Sequence, residues 1–346
     1  MQTRVIVVNP KKPQMKKIQE CVSILRKGGI VAFPTETVYG LGADGLNPNA
    51  IKKIFKAKKR PSDNPLIYHI SNKDDIKKFA KHIPPNTKKL IEKFWPGPLT
   101  LVLKKSSQIP KIATGGLNTI AIRMPSHKIA LSLIDLLGNP IVAPSANLFG
   151  KPSPTLATHV FDDLNGKIDA IIDGGNSVIG IESTILDLST NTPTLLRPGK
   201  ISYSELKKIL KKVEYHPSLL GKKSKIIKVK SPGMKYKHYS PDAKIILIEG
   251  NIQNAQKKTQ ELIKKFKSEK KLIGIINNKT IKKTPFIKSK FIGTTKKEIA
   301  SNLYKTFRDF DEERVDVIIM REVDNSNLGF AIMNRLKKAA SEIITV

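Results

Sequence analysis

Apolar residues along this chain fall into two rhythms. Short runs rich in Val, Ile and Leu predict strands at residues 5–8, 30–33, 66–70, 99–103, 119–123, 141–143, 170–173, 184–188 and 194–196. Apolar positions three and four apart predict helices at 15–26, closed by Gly28 and Gly29, and at 49–56, 73–81, 127–137 and 204–212. Several strands follow one another with no helix between them. The fold class predicted for residues 1–212 is therefore α/β, with a twisted and mixed sheet.

The pattern breaks at Lys211. The run to Lys230 is charged and aperiodic, and SPGMKYKHYSP follows, where two prolines and a glycine forbid a regular helix. Its aromatics and histidine suit a linker that packs on something, so residues 213–242 read as linker or lid. From Ala243 a second rhythm begins. It runs strand 244–248, helix 253–267, strand 272–276, the step Phe291-Ile292-Gly293, helix 297–310, strand 315–320 and helix 331–343. This alternation predicts a smaller, Rossmann-like open sheet over 243–346. It carries no glycine fingerprint, so no nucleotide is assigned to it.

Composition narrows the class. With 346 residues, 39% of them hydrophobic, and a mean hydropathy of −0.25, the chain has room for two packed, water-soluble domains. No apolar run approaches the ~20 residues a bilayer needs. The start, MQTRVIVVNPKKPQ, does not read as a signal peptide, so no membrane partner and a cytoplasmic location are expected. One cysteine excludes internal disulfides; Cys21 shares a helical face with Ile18 and Leu25 and reads as a core thiol. The net charge of +33 attracts polyanions, or else reflects lysines solvated on helix faces, as at Lys52-Lys53, Lys77-Lys78 and Lys207-Lys208.

Candidate chemistry begins at GGIVAFPTETVYGLGADGLNPNAIKKIFKAKKRPSDNPL, residues 28–66. An apolar strand enters a Thr- and Gly-rich turn, a helix follows, and Lys58, Lys59 and Arg60 close it. Hydroxyls, glycines and fixed cations in that order form a polyanion cradle, although neither G-x-x-x-x-G-K-[ST] nor G-x-G-x-x-G occurs there. Four further segments are unusually polar. Trp95-Pro96-Gly97-Pro98 is a rigid turn. In Thr119–Pro125, alternation puts Thr119, Ala121 and Arg123 on one face; an arginine there needs an anion, either a ligand carboxylate or a structural partner. Ala143-Pro144-Ser145-Ala146-Asn147, with Gly150-Lys151-Pro152-Ser153 after it, is a ligand position at a strand's carboxyl end or a capped turn. Gly180–Thr184 and Leu196-Arg197-Pro198-Gly199 complete the set. The six histidines do not cluster with carboxylates at metal-ligand spacing, so no metal ligands are assigned. A concave site of Arg, Lys, Ser, Thr and Asn binds anions and works by positioning and electrostatics.

In order, PTETVYGLG, KKRPSDNPL, WPGPLT, AIRMP, PSAN, ESTI, LRPG, SPGMKYKHYSP and GFAIMNRLKKAA make the chain resemble the threonylcarbamoyl-AMP synthase family, in its long form with a YrdC-type catalytic domain. The resemblance implies a catalytic domain over 1–212 and a nucleotidyl transfer that joins L-threonine, bicarbonate or CO2, and ATP. Pyrophosphate leaves, and the adenylate passes to a tRNA threonylcarbamoyl transferase. By the family pattern Thr37, His69, Arg123, Ala143 and Ser183 hold threonine. Arg60, Asn64, Thr119, Ser145, Ser153, Arg197 and the lid residue Tyr236 hold ATP. Lys58, Arg60, Ser145 and Asn147 are the catalytic set around the phosphates, and Mg2+ rides mainly on the triphosphate. Lys59 stands where the family usually has glycine, and Lys235 where arginine is common. Two other readings share the fold. One is an RNA-binding, translation-associated module making weak tRNA contacts. The other is the carbamoyl-transfer domain of hydrogenase maturation, which the single cysteine and the C-terminal domain disfavour.

Overall fold

The computed structural model describes residues 2–221, 238–277 and 285–346. The chain divides into two compact units, one of residues 1–149 and 153–236, the other of 150–152 and 237–346.

The first unit is built on one large sheet. Its strands are β1 (Arg4–Val7), β2 (Val31–Phe33), β3 (Gly40–Asp44), β4 (Ile67–His69), β5 (Ala80–His82), β6 (Leu99–Lys105), β7 (Thr119–Arg123), β8 (Ile141–Ala143), β9 (Ala170–Asp173), β10 (Thr184–Asp187), β11 (Thr194–Arg197) and β12 (Glu214–Tyr215). Their order is β1-β9-β2-β3-β8-β4-β7-β6-β10-β11-β12, with β5 on the edge of β6. Parallel and antiparallel pairs are mixed, as the uneven spacing of helices predicts: β4 runs parallel to β7 and β6 to β10, while β3 meets β2 and β8, β4 meets β8, and β6 meets β7 antiparallel. Helices Met15–Arg26 and Lys128–Leu137 cover one face. Ile18, Cys21, Val22 and Leu25 meet Ile129, Leu133 and Ile134 over Phe33, Ile141 and Ile172. Each such side chain contributes roughly 1.5–3 kcal/mol by leaving water. Burial pushes the Cys21 thiol up to about 12, which fits an inert core residue.

Three segments depart from their local pattern. Gly40–Asp44 is a buried strand, not a turn. A Cβ on Gly42 would stand 2.7 Å from Ile141 and 2.8 Å from Phe33, so this glycine admits a neighbouring side chain and not a phosphate. The helix expected over 73–81 shortens to a 3-10 turn, Lys73–Asp75, and the single turn Ile76–Phe79 before β5 pairs with β6. The helix expected to reach 343 stops at Ala339, and Glu342–Thr345 joins a sheet.

That sheet belongs to the second unit. Its strands β13 (Lys244–Glu249), β14 (Ile273–Asn277), β15 (Ile287–Phe291), β16 (Val317–Arg321) and β17 (Glu342–Thr345) are all parallel, in the order β15-β14-β16-β13-β17. It is open and covered by helices, as predicted, with β16 inserted between the first two strands. Ile246, Ile248, Ile273, Ile275, Val317 and Ile319 face helix Ile252–Ser268 through Leu262 and Phe266. Residues 150–152 are fixed within this unit: Ser240 N–H donates to the Gly150 carbonyl at 2.9 Å, Arg308 donates to Pro152 O at 2.6 Å, and Lys151 pairs with Asp242 at 2.5 Å. Among the described residues no helix is long and apolar enough to cross a membrane.

Candidate active site

Arg123 closes β7 and is 4% exposed. Its Nη1 donates to Thr37 Oγ1 at 2.9 Å, its Nε to Gly97 O at 3.3 Å, and its Nη2 lies 2.6 Å from Glu36 Oε1. Both anion readings were open for this arginine, and the structure supplies a structural one. Glu36 was not singled out by its sequence, although an acid inside the buried run Pro34–Leu41 was the available signal. The turn that carries it is held by backbone. Ile179 N–H donates to Glu36 O at 2.8 Å and Gly180 N–H to Thr37 O at 3.1 Å, while the Thr35 hydroxyl donates to Val38 O at 2.6 Å.

Sheet register gathers the neighbours. Parallel pairing of β4 and β7 sets His69 beside Arg123, and antiparallel pairing of β6 and β7 sets Thr100 on its other side. His69 is buried, its Nδ1 3.1 Å from Ile67 O. Burial first, and then the charge of Arg123, lower its pKa to about 3, so the ring is a neutral hydrogen-bonding group. Thr100 Oγ1 lies 2.7 Å from Ser183 Oγ. Arg197 at the end of β11 donates from Nη2 to that same Ser183 oxygen at 3.1 Å and from Nε to Ser183 O at 3.0 Å. Thr37, His69, Arg123, Ser183 and Arg197 thus form one continuous patch.

Beside the patch the sheet turns apolar. Ile67, Val102, Ala121, Ile185 and Leu196 form a separate cluster, with Ala121 midway between Thr119 and Arg123. Thr119 shares the face of Arg123 but stands about 13 Å along the strand. There it lines a groove of about 910 Å³ with Lys81, Lys104, Lys105 and Asn118. The structure therefore does not bring Thr119 to Arg123; it puts them at opposite ends of an apolar strip.

The remaining cations occupy the end of helix Pro48–Lys58. Lys58 is 1% exposed, and its Nζ donates to the carbonyls of Ser145, at 2.6 Å, and Asn147. Those contacts tie the helix to the segment after β8, which Ala146 N–H also ties to Tyr39 O at 2.9 Å. Ala143 ends β8 opposite Ile67 of β4. Lys59 caps the helix with φ 52°, the left-handed region that favours glycine. Its departure from the family residue thus falls at the position where glycine relieves backbone strain. Arg60 donates to Asn64 O at 3.3 Å and Pro65 O at 3.2 Å and stands 6.0 Å over the Phe149 ring. Asn64 is buried, and its Oδ1 has no hydrogen-bond partner. Ser153 Oγ donates to Glu182 Oε1 at 2.6 Å. Tyr236 and Lys235 lie outside the described residues. Buried Lys58, Arg60, Arg123 and Arg197 outnumber buried Glu36, Glu182 and Asp163, which leaves the site receptive to anions.

Comparison with known proteins agrees with this chemistry. Residues 23–199 match the Sua5/YciO/YrdC family model, described as telomere recombination. Residues 201–341 match the model described as threonylcarbamoyl-AMP synthase, C-terminal domain. The threonylcarbamoyl-AMP synthase of Pyrococcus abyssi is 49% identical over 94% of both chains. That of Bacillus subtilis is 43% identical over 94% of this chain and 93% of its own. The crystal structure of P. abyssi Sua5 complexed with L-threonine superposes with a TM-score of 0.94 at 48% identity, covering 99% of this chain and 100% of that one. The chain belongs to the threonylcarbamoyl-AMP synthase family, in its form with a C-terminal domain.

Proposed function

We propose that this chain makes L-threonylcarbamoyl-adenylate and pyrophosphate from L-threonine, bicarbonate or CO2, and ATP, for threonylcarbamoyladenosine formation in tRNA. The observation that carries the reading is the buried patch around Arg123, which joins a cluster of hydroxyls to an apolar strip. The threonine complex of the P. abyssi relative supports it. Threonine is assigned to Thr37, His69, Arg123, Ala143 and Ser183. ATP is assigned to Arg60, Asn64, Thr119, Ser145, Ser153 and Arg197, and by resemblance to Tyr236. Asn64 Oδ1, a buried acceptor without a donor, suits a hydroxyl or amine of the nucleoside. The strip of Ile67, Ala121 and Val102 suits a flat base.

In the reaction the threonine ammonium gives a proton to solvent, the amine so formed adds to bicarbonate, water leaves, and a carbamate forms. A carbamate oxygen then attacks the α-phosphorus, and the bond to pyrophosphate breaks. The chain's part is to hold the two anions together and to stabilise the charge spread over phosphorus. Arg60 and Arg197 meet that charge directly. Lys58 acts through the loop it fixes, because its ammonium binds the carbonyls of Ser145 and Asn147. Hydroxyl and amide oxygens of the site, with the Glu182 carboxylate, would hold a Mg2+ brought by the triphosphate, which would supply neutralisation of phosphate charge. The adenylate is handed to a tRNA threonylcarbamoyl transferase, with weak direct tRNA contact at most, in the cytoplasm. The test is pyrophosphate release. It should require threonine and bicarbonate together, whereas tight tRNA binding without such turnover would overturn the reading in favour of an RNA-binding module.

A further inference from the structure

One carboxylate in the Arg123 patch uses only one of its two oxygens. Glu36 is 7% exposed. Its Oε1 meets Arg123, but its Oε2 is buried without a hydrogen-bond partner. The turn does not need this side chain, since its backbone is closed by Ile179, Gly180 and the Thr35 hydroxyl. Close by, His127 Nδ1 is also buried without a partner. Burial lowers the His127 pKa and the negative charge of Glu36 opposes that shift, so the carboxylate's field reaches the ring.

An α-amino acid carries a carboxylate and an ammonium on one carbon, with no net charge. Arg123 alone complements half of it. An arginine and a carboxylate already in contact present both complementary charges, a few ångströms apart, and add no net charge to a buried site. We propose that Glu36 binds the α-ammonium of the amino-acid substrate, with Oε2 supplying the acceptor that the chain itself leaves unused. The substrate carboxylate takes the place of Glu36 on Arg123 Nη2, and the ammonium replaces the partner that Glu36 gives up. This rests on the threonine reading above and extends it. It makes Glu36 the residue that separates amino acids from hydroxy acids of the same shape.

Calorimetry on the full chain tests it with L-threonine and 3-hydroxybutanoate, which keeps the carboxylate and hydroxyl but lacks the amine. Glu36→Gln should weaken threonine at least tenfold and leave 3-hydroxybutanoate within twofold. Glu36→Asp, which keeps the charge, should recover part of the preference. Threonine affinity within twofold of wild type would overturn the assignment. So would equal weakening of both ligands, which would make Glu36 only a prop for Arg123. Binding of a non-hydrolysable ATP analogue checks that each variant is folded, and if Glu36→Gln is not, Glu36→Asp carries the same comparison with a smaller expected loss. Wild-type turnover is judged separately. Threonine binding without pyrophosphate release sinks the synthase reading alone, and turnover with unchanged selectivity in Glu36→Gln sinks the Glu36 assignment alone.

Discussion

Lys305 and Asp309, one helical turn apart in the second unit, form an ion pair at 2.8 Å with side chains 46% and 23% exposed. Arg123 and Glu36 in the first unit pair at 2.6 Å with side chains 4% and 9% exposed. The two contacts look alike as distances and differ as physics. The first stays in water, where such a pair is worth about 0–1 kcal/mol. The second has lost its hydration, and its attraction must offset a desolvation penalty of several kcal/mol. The second unit keeps ion pairs such as Lys258 and Glu261 on helix faces, buries Arg308 and Arg335 on its helices, and builds its sheet from isoleucine-rich parallel strands. The first unit carries charge into its sheet, at strand ends where a ligand can meet it. Much of the net charge of +33 therefore says little about function, and a few buried charges say most.

The comparison is broken most directly at Arg123. Arg123→Ala leaves Glu36 charged and buried, and it should cost about 3–5 kcal/mol in denaturant unfolding. It should also weaken threonine far more than an ATP analogue; equal losses by calorimetry would undo its assignment. Gly42→Ala is the next largest. Its new methyl group meets Ile141 and Phe33 inside 3 Å, so about 1–3 kcal/mol should be lost in a thermal melt with little change at the Arg123 patch.

His69 sharpens the comparison through pH. Folding holds its pKa near 3 against an ordinary value of 6.5, so the unfolded chain binds the proton first as pH falls. Stability from this residue is complete above about pH 6.5 and falls toward about pH 3, by about 1.4 kcal/mol per pH unit. His69→Gln should flatten that limb of the stability profile. Lys59→Gly should gain about 0.5–1 kcal/mol, since φ 52° suits glycine, and a loss on chemical unfolding would show that the lysine has a role beyond the cap. Lys305→Ala should change unfolding by less than about 0.5 kcal/mol. A larger effect would erase the contrast between the two pairs.

Much of the fold was legible where local period and burial agree. Helix Met15–Arg26 and strands Thr119–Arg123, Ile141–Ala143 and Ala170–Asp173 lie where their spacing puts them. Strand Gly40–Asp44 was not legible, because its glycines have no strand signal of their own and serve the ring of Phe33 across the sheet. Nor was the strand Glu342–Thr345, whose apolar residues extend a helical pattern until pairing with β13 claims them.

The candidate site divides the same way. The residue types of PTETVYG, KKRPSDNPL, AIRMP, PSAN and ESTI were enough, by resemblance, to name an anion-binding synthase. Sequence alone also determined that Arg123 must meet an anion, because a guanidinium on a buried strand cannot stay unpaired. Which anion it meets was decided only by tertiary structure. Glu36 reaches Arg123 from a turn fixed by Ile179 and Gly180, far along the chain. Lys58 likewise reads as a phosphate ligand in one dimension, and the fold aims it at the carbonyls of Ser145 and Asn147. The physical reason is common to both. Residue type sets what a buried charge requires, and long-range sheet register sets which group is there to satisfy it.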